Sequence, residues 1–321
     1  MIDKARLRQN ALPLIMGALS AILYCTAAFM PFFLVPVQVS GGRKGFRAML
    51  ASAGLSALII SAWQVAMLAS GSALSAGTLA IGVSAPAAML FSLAFIAWPR
   101  LSRMDFASRS LVGAVVASVL CLPSFVAAAG DALVHDMFVA AFEKAASTMG
   151  IEALDPAMLW TIVKSGVLSS FGAILFTFLF ASALIGTRFG GNGQPPAEPI
   201  ADPASLPPRL SGYRVPGPLV WALLAAWAGL LANRFFPSLV LSAVALNAAL
   251  ALSICYAVQG LAVAGALADR AGLAPALRFI GPIVLILLIA SGIAGLVAIG
   301  LLALLGTLET WIPFRAVTKG D

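Results

Sequence analysis

Charge is what this sequence has least of. Only 10% of its 321 residues are Asp, Glu, Lys or Arg, against 61% hydrophobic residues, and the mean hydropathy is +1.03. Soluble globular domains carry about 25% charged residues, so that class is excluded and a polytopic membrane protein remains. Long polar stretches are also missing. The two longest loops run to roughly 30 residues, short of the roughly 50 that an independent domain needs.

Other absences narrow the function. The three cysteines, Cys25, Cys121 and Cys255, lie far apart inside apolar segments with no CxxC spacing, so they read as small packing residues. The interiors of the apolar runs are almost free of Asp, Glu, His, Lys and Arg. Proton-coupled transport, redox work and intramembrane proteolysis leave such residues inside the bilayer, so the chain is not expected to be an enzyme. The one histidine, His135, sits in a loop with Asp131 and Asp136, a spacing too unspecific for a metal site. RFGGNG at 188–193 leads into a proline-rich segment instead of opening a helix after a strand, so it is no phosphate loop. No metal and no cofactor are expected. The net charge of +7 collects at the ends of apolar runs, which points to topology and anionic lipid headgroups and away from nucleic acid.

What is present is organised around Leu12 to Arg47. This apolar stretch is fenced by Lys4, Arg6 and Arg8 on one side and by Arg43, Lys44 and Arg47 on the other. Basic residues near membrane helix ends stay on the cytoplasmic side, so the stretch must enter and return. Leu12 to Phe29 nearly supplies the roughly 20 residues of a span. Pro31 to Ser40 is too short and carries Pro31 and Pro36, which predicts a short, broken, re-entrant return leg. Lipid cannot satisfy broken backbone, so such a leg has to be buried in protein or line a cavity.

Further apolar runs cover Ala48–Ala69, Leu79–Trp98, Leu111–Ala129, Thr161–Gly186, Pro218–Ala232, Leu239–Ala268 and Phe279–Gly306. The expected fold is an all-α transmembrane bundle of about eight or nine helices, counting the short broken one, in the bacterial inner membrane with a cytoplasmic N-terminus. Residues 131–150 recur at helical spacing through Val134, Phe138, Ala141, Phe142, Ala145 and Met149, which predicts an outer amphipathic helix. It would rest on headgroups or act as a lid. Residues 188–217 read as a Gly/Pro-rich cytoplasmic linker between an N-terminal half, 1–187, and a C-terminal half, 218–321. The last run is read as one long span, with the side of the C-terminus left open.

Uncharged polar residues inside apolar helices are the remaining site candidates: Tyr24, Gln38, Gln64, Asn247, Ser253, Tyr256 and Gln259. A carboxamide in hydrocarbon must find partners, so these face the bundle interior, either as interhelical glue or as the wall of a solute cavity. Gln38, Tyr256 and Gln259 are the solute-binding candidates, with Pro31, Pro36 and Asn247 lining the cavity. Gly17 and Ala21, four apart on the first helix, permit close backbone approach, for internal packing or for docking another membrane subunit.

The segments PFFLVPVQVSGGRKGFRAML, VPGPLVWALL, NAALALSICYAVQGLAVAGAL and LLGTLETWIPFR together resemble the YybS-like family of predicted bacterial inner-membrane proteins, a domain of unknown function. Through the helix, broken leg and basic turn Gly41–Arg47, that resemblance extends to the membrane-embedded substrate-binding subunits of energy-coupling-factor transporters. It implies a small solute as ligand and a transporter as context, with no substrate and no catalytic residues to carry over. The competing expectation is a non-transporting scaffold that recruits partner proteins through its helices and linker.

Overall fold

The computed structural model describes residues 4–26, 29–70, 75–101, 103–149, 155–190, 210–273 and 293–315. The protein is an all-α membrane bundle, with ten α-helices among the described residues. Five helices are long and apolar enough to cross a membrane, and three shorter apolar helices accompany them. Leu58, Val119, Trp221, Leu231 and Val240 are among many large apolar side chains left exposed on helix faces. That is the surface a lipid solvent calls for. The chain divides into two compact units, Met1–Pro207 and Pro208–Asp321.

In the first unit α1 (Lys4–Cys25) leads through a 3₁₀ turn, Met30–Phe32, into the short α2 (Leu34–Lys44). Pro36 falls in the first turn of α2, where a missing N–H costs no intrahelical bond. Helix α2 runs on through Gly41 and Gly42, so the basic turn is a helix end, closed at Gly45 with φ 84°. Every residue from Pro36 to Ser40 is buried. The helical part of the leg is thus wrapped by protein, whereas Met30, Pro31 and Phe32 of the 3₁₀ turn are exposed.

Helix α3 (Phe46–Ala69) runs parallel to α1, a pairing fixed by serines. Ser52 Oγ lies 2.9 Å from the Pro13 carbonyl oxygen and 2.8 Å from Ser40 Oγ, and Ser20 Oγ lies 2.8 Å from Ser56 Oγ. Gly17 faces this seam: a Cβ there would stand 2.7 Å from the Ser52 carbonyl oxygen. Together with fully buried Ala21, Gly17 serves packing inside the unit. Parallel α1 and α3 also place the start of α1 and the Arg43–Arg47 turn at the same end of the unit.

Helices α4 (Ala76–Ile96) and α5 (Phe106–Ala129) form an antiparallel hairpin clamped at both ends by charge. At the N-terminus of α4 the Asp131 carboxylate accepts from Gly77 N–H at 3.1 Å. At its C-terminus fully buried Arg109 donates to the Ile96 carbonyl at 3.3 Å. An anion at the N-terminus and a cation at the C-terminus both complement the helix dipole. Hydrogen bonds from Ser75, then from the backbone of Gly77, Leu133 and Val134, hold the Asp131 carboxyl below its ordinary value.

Helix α6 (Ala132–Met149) docks on α7 (Pro156–Gly190) through Trp160, which meets His135 edge-on at 5.6 Å and Phe138 at 5.1 Å. His135 Nδ1 lies 3.0 Å from Asp136 Oδ1, and no group of three potential metal ligands occurs among the described residues. Helix α7 covers both α2 and α5, with Phe180 stacked between Phe106 at 5.3 Å and Phe176 at 5.0 Å.

The second unit contains α8 (Leu219–Phe235), α9 (Leu239–Arg270) and α10 (Ile293–Leu308). The Ser238 hydroxyl caps α9. Gly260 and Gly306 bring α9 and α10 into backbone contact: a Cβ on Gly260 would strike the Leu302 carbonyl, and one on Gly306 the Tyr256 carbonyl. Beyond α10 the chain turns back. Arg315 donates to Glu309 in a buried ion pair, 2.8 Å from Nη2 to Oε2, while Arg270 donates to the Phe314 carbonyl at 2.9 Å. Phe314 therefore lies beside the end of α9. The expected long span Phe279–Gly306 falls in good part outside the described residues, which hold its second part as α10. The path of 274–292 and most of the linker, 191–209, lie outside the described residues.

Candidate functional site

Proline creates the most informative site in the first unit. Pro86 lies inside α4 and has no N–H to give the carbonyl four residues back, that of Gly82. An unpaired carbonyl in a membrane interior is costly. The Tyr24 hydroxyl, arriving from the end of α1, donates to the Gly82 oxygen at 3.2 Å. Tyr24 is held for this by Phe33, whose ring it meets in a T-shaped contact at 5.2 Å. On the other side of Gly82 the Gln64 amide of α3 comes so close that a Cβ on Gly82 would stand 2.8 Å from Nε2.

Tyr24 and Gly82 also line a cavity of about 260 Å³. Its wall is completed by Met30 and Phe33 from the broken leg, Ala85 and Met89 from α4, Phe125 from α5, and residues of α7 including Ile174 and Phe178. None of these side chains is charged, and the Tyr24 hydroxyl is the one polar side-chain group among them. The cavity opens where α1 has ended and α2 has not yet begun.

The six residues singled out by sequence occupy two kinds of place. Pro31 lies in the 3₁₀ turn and Pro36 in the first turn of α2; Met30 and Phe33, not the prolines, face the cavity. Gln38 is buried, pressed against Gly186 of α7, and its Oε1 finds no hydrogen-bond partner among the described residues. In the second unit Gln259 is a clasp. Its Oε1 accepts from Val215 N–H at 2.6 Å and its Nε2 donates to the Gly306 carbonyl at 2.9 Å. Tyr256 is fully buried in the same layer, its hydroxyl near Thr310. Asn247 donates to the Ala243 carbonyl one turn back. Tyr213, fully buried ahead of α8, meets the Cys255 thiol, and burial raises the pKa of its phenol.

Two residues of consequence were not among the six. Tyr24 was noted only as a polar residue in an apolar helix, although Pro86 four residues after Gly82 signals an orphaned carbonyl. Arg109, at the charged edge of an apolar run, lies one turn into α5 and is buried.

The match to a known protein family falls almost wholly on the second unit. Residues 202–304 match the family model described as predicted membrane protein, DUF2232. The match nearly coincides with the compact unit Pro208–Asp321 and leaves the cavity-bearing unit outside it. No curated protein and no solved structure matches the chain.

Proposed function

We propose that this membrane protein binds a small solute between the helices of its first unit. The observation that carries this reading is the cavity at the broken leg, where Tyr24 and Gly82 supply a polar spot in an otherwise apolar wall. Gln38, buried on the same leg with its amide oxygen unbonded among the described residues, lies outside the cavity wall and would gain a partner only through a gating movement. The sequence resemblance of this helix, broken leg and basic turn to energy-coupling-factor substrate-binding subunits would make it one subunit of a transporter. With the basic turns on the cytoplasmic face, the protein sits in the bacterial inner membrane with its N-terminus inside.

A thermal-shift screen of the purified protein against vitamins, nucleobases, amino acids and metal ions tests the reading. A ligand at 100 times its dissociation constant stabilises the folded state by about 2.7 kcal/mol. A specific stabilisation that disappears when Ala85→Phe fills the cavity supports it, and a flat response across the panel removes it.

One observation favours the scaffold reading as an alternative. The family match lies on the second unit, whose buried Gln259, Glu309 and Arg315 all close on partners within the unit. Such a unit is built to hold a shape. If the scaffold reading holds, deletion of 194–211 abolishes function while Ala85→Phe leaves it intact.

A further inference from the structure

The chemistry of the cavity wall selects its ligand, an inference that rests on the solute-binding reading above. We propose that the cavity takes a compact, uncharged, largely apolar molecule carrying one N–H or O–H, and that this donor bonds the Gly82 carbonyl orphaned by Pro86. Three observations lead there. First, among the described residues the lining holds no charged side chain, and burying an ionised carboxylate or ammonium without a partner costs far more than such a contact returns. Second, a volume of about 260 Å³ falls just below the roughly 300–1,000 Å³ usual for drug-sized ligands, which limits the occupant to the size of a small bicyclic ring. Third, a carbonyl oxygen has two lone pairs. The Tyr24 hydroxyl takes one at 3.2 Å, and the absent N–H of Pro86 leaves the other without its helical donor. The neighbouring aromatic rings, Phe33, Phe125 and Phe178, suit a flat apolar body.

The probes are indole, 1-methylindole and indole-3-carboxylate, measured by thermal shift on the full-length protein in lipid nanodiscs. Indole carries the donor, 1-methylindole lacks it, and the carboxylate adds a charge. Indole is expected to stabilise the wild type and to bind about three- to tenfold more tightly than 1-methylindole, one hydrogen bond's worth. The carboxylate is expected to give no shift. Pro86→Ala restores an N–H to the Gly82 carbonyl, so the preference for indole over 1-methylindole should shrink towards one. Ala85→Phe and, as a second filling variant, Ile81→Trp, whose side chain also lines the cavity and is less buried than Ala85, should remove the indole response.

Equal binding of indole and 1-methylindole, or an unchanged preference in Pro86→Ala, overturns the role of the carbonyl. Equal shifts in the wild type and both filled variants mean that indole acts through the lipid, and the proposal falls. A charged member of the vitamin and amino-acid panel whose effect is lost in Ala85→Phe would keep the solute site and overturn the ligand class. Silence from both sets of compounds overturns both.

Discussion

Two buried glutamines show how differently the two units are built. Gln38, in the first unit, is packed against Gly186 with its amide oxygen unbonded. Gln259, in the second, is equally buried, yet both ends of its amide are engaged, one by Val215 and one by Gly306. The same side chain is a spare polar group in one place and a rivet in the other. The first unit tolerates incompleteness: a broken leg, a cavity and a carbonyl served by a side chain from another helix. The second unit clasps its buried glutamine at both ends and brings Gly260 and Gly306 into backbone contact, leaving the Tyr256 hydroxyl as a buried polar group with no hydrogen-bond partner among the described residues.

The contrast breaks most sharply at the glycines. Gly260→Ala would drive a methyl group into the Leu302 carbonyl and is expected to cost about 3 kcal/mol or more. Gly265→Ala on the same helix meets nothing within 4 Å and should gain about 0.5–1 kcal/mol through helix propensity. Chemical or thermal unfolding of the two variants checks both signs. The glutamines come next. Gln259→Leu orphans two buried backbone groups and should cost about 2 kcal/mol; Gln38→Leu removes an oxygen that is already unpaired and should stay within about 1 kcal/mol of neutral. Equal losses in the two variants would erase the distinction between rivet and spare.

A smaller effect belongs to Tyr24→Phe, which leaves the Gly82 carbonyl without its hydroxyl. About 1 kcal/mol of stability should go with it, read as a lower melting temperature with the fold retained. The smallest is confined to the α4–α5 end. The Asp131 carboxyl is held below its unfolded value by Ser75 and by backbone N–H groups, so its stabilising effect is complete above the ordinary carboxylate range. It is lost as pH falls through the depressed folded value. Hydrogen exchange at Gly77 should therefore accelerate in acid, and Asp131→Asn should flatten that response.

Much of the fold could be read in advance, for reasons visible in particular residues. Long apolar runs define α3, α4, α5, α7 and α9, and two prolines in a run too short to span define the broken leg at Pro31–Ser40. The serine seam makes clear why Gly17 is small, a question that spacing alone left between packing and partner docking. Hydropathy does not show where the chain lies after its last apolar run, whereas the Arg270 hydrogen bond places Phe314 beside the end of α9. The site was less legible. Polar residues in apolar helices were the right class to examine, but their bonding decides their role, and bonding depends on neighbours distant in sequence. Gln259 finds Val215 and Gly306. Tyr24 finds a carbonyl 58 residues away, and only the proline that freed it was visible in the chain.

The division of labour between binding in the first unit and holding shape in the second reduces to one paired measurement. The melting temperature is recorded, with and without whichever panel compound stabilises the wild type, for Ala85→Phe and Gln259→Leu. The account predicts that Ala85→Phe abolishes the ligand-induced shift while melting near the wild type in its absence. Gln259→Leu should melt lower but keep the shift. A shift that survives in Ala85→Phe and vanishes in Gln259→Leu would place the ligand in the second unit and contradict the account.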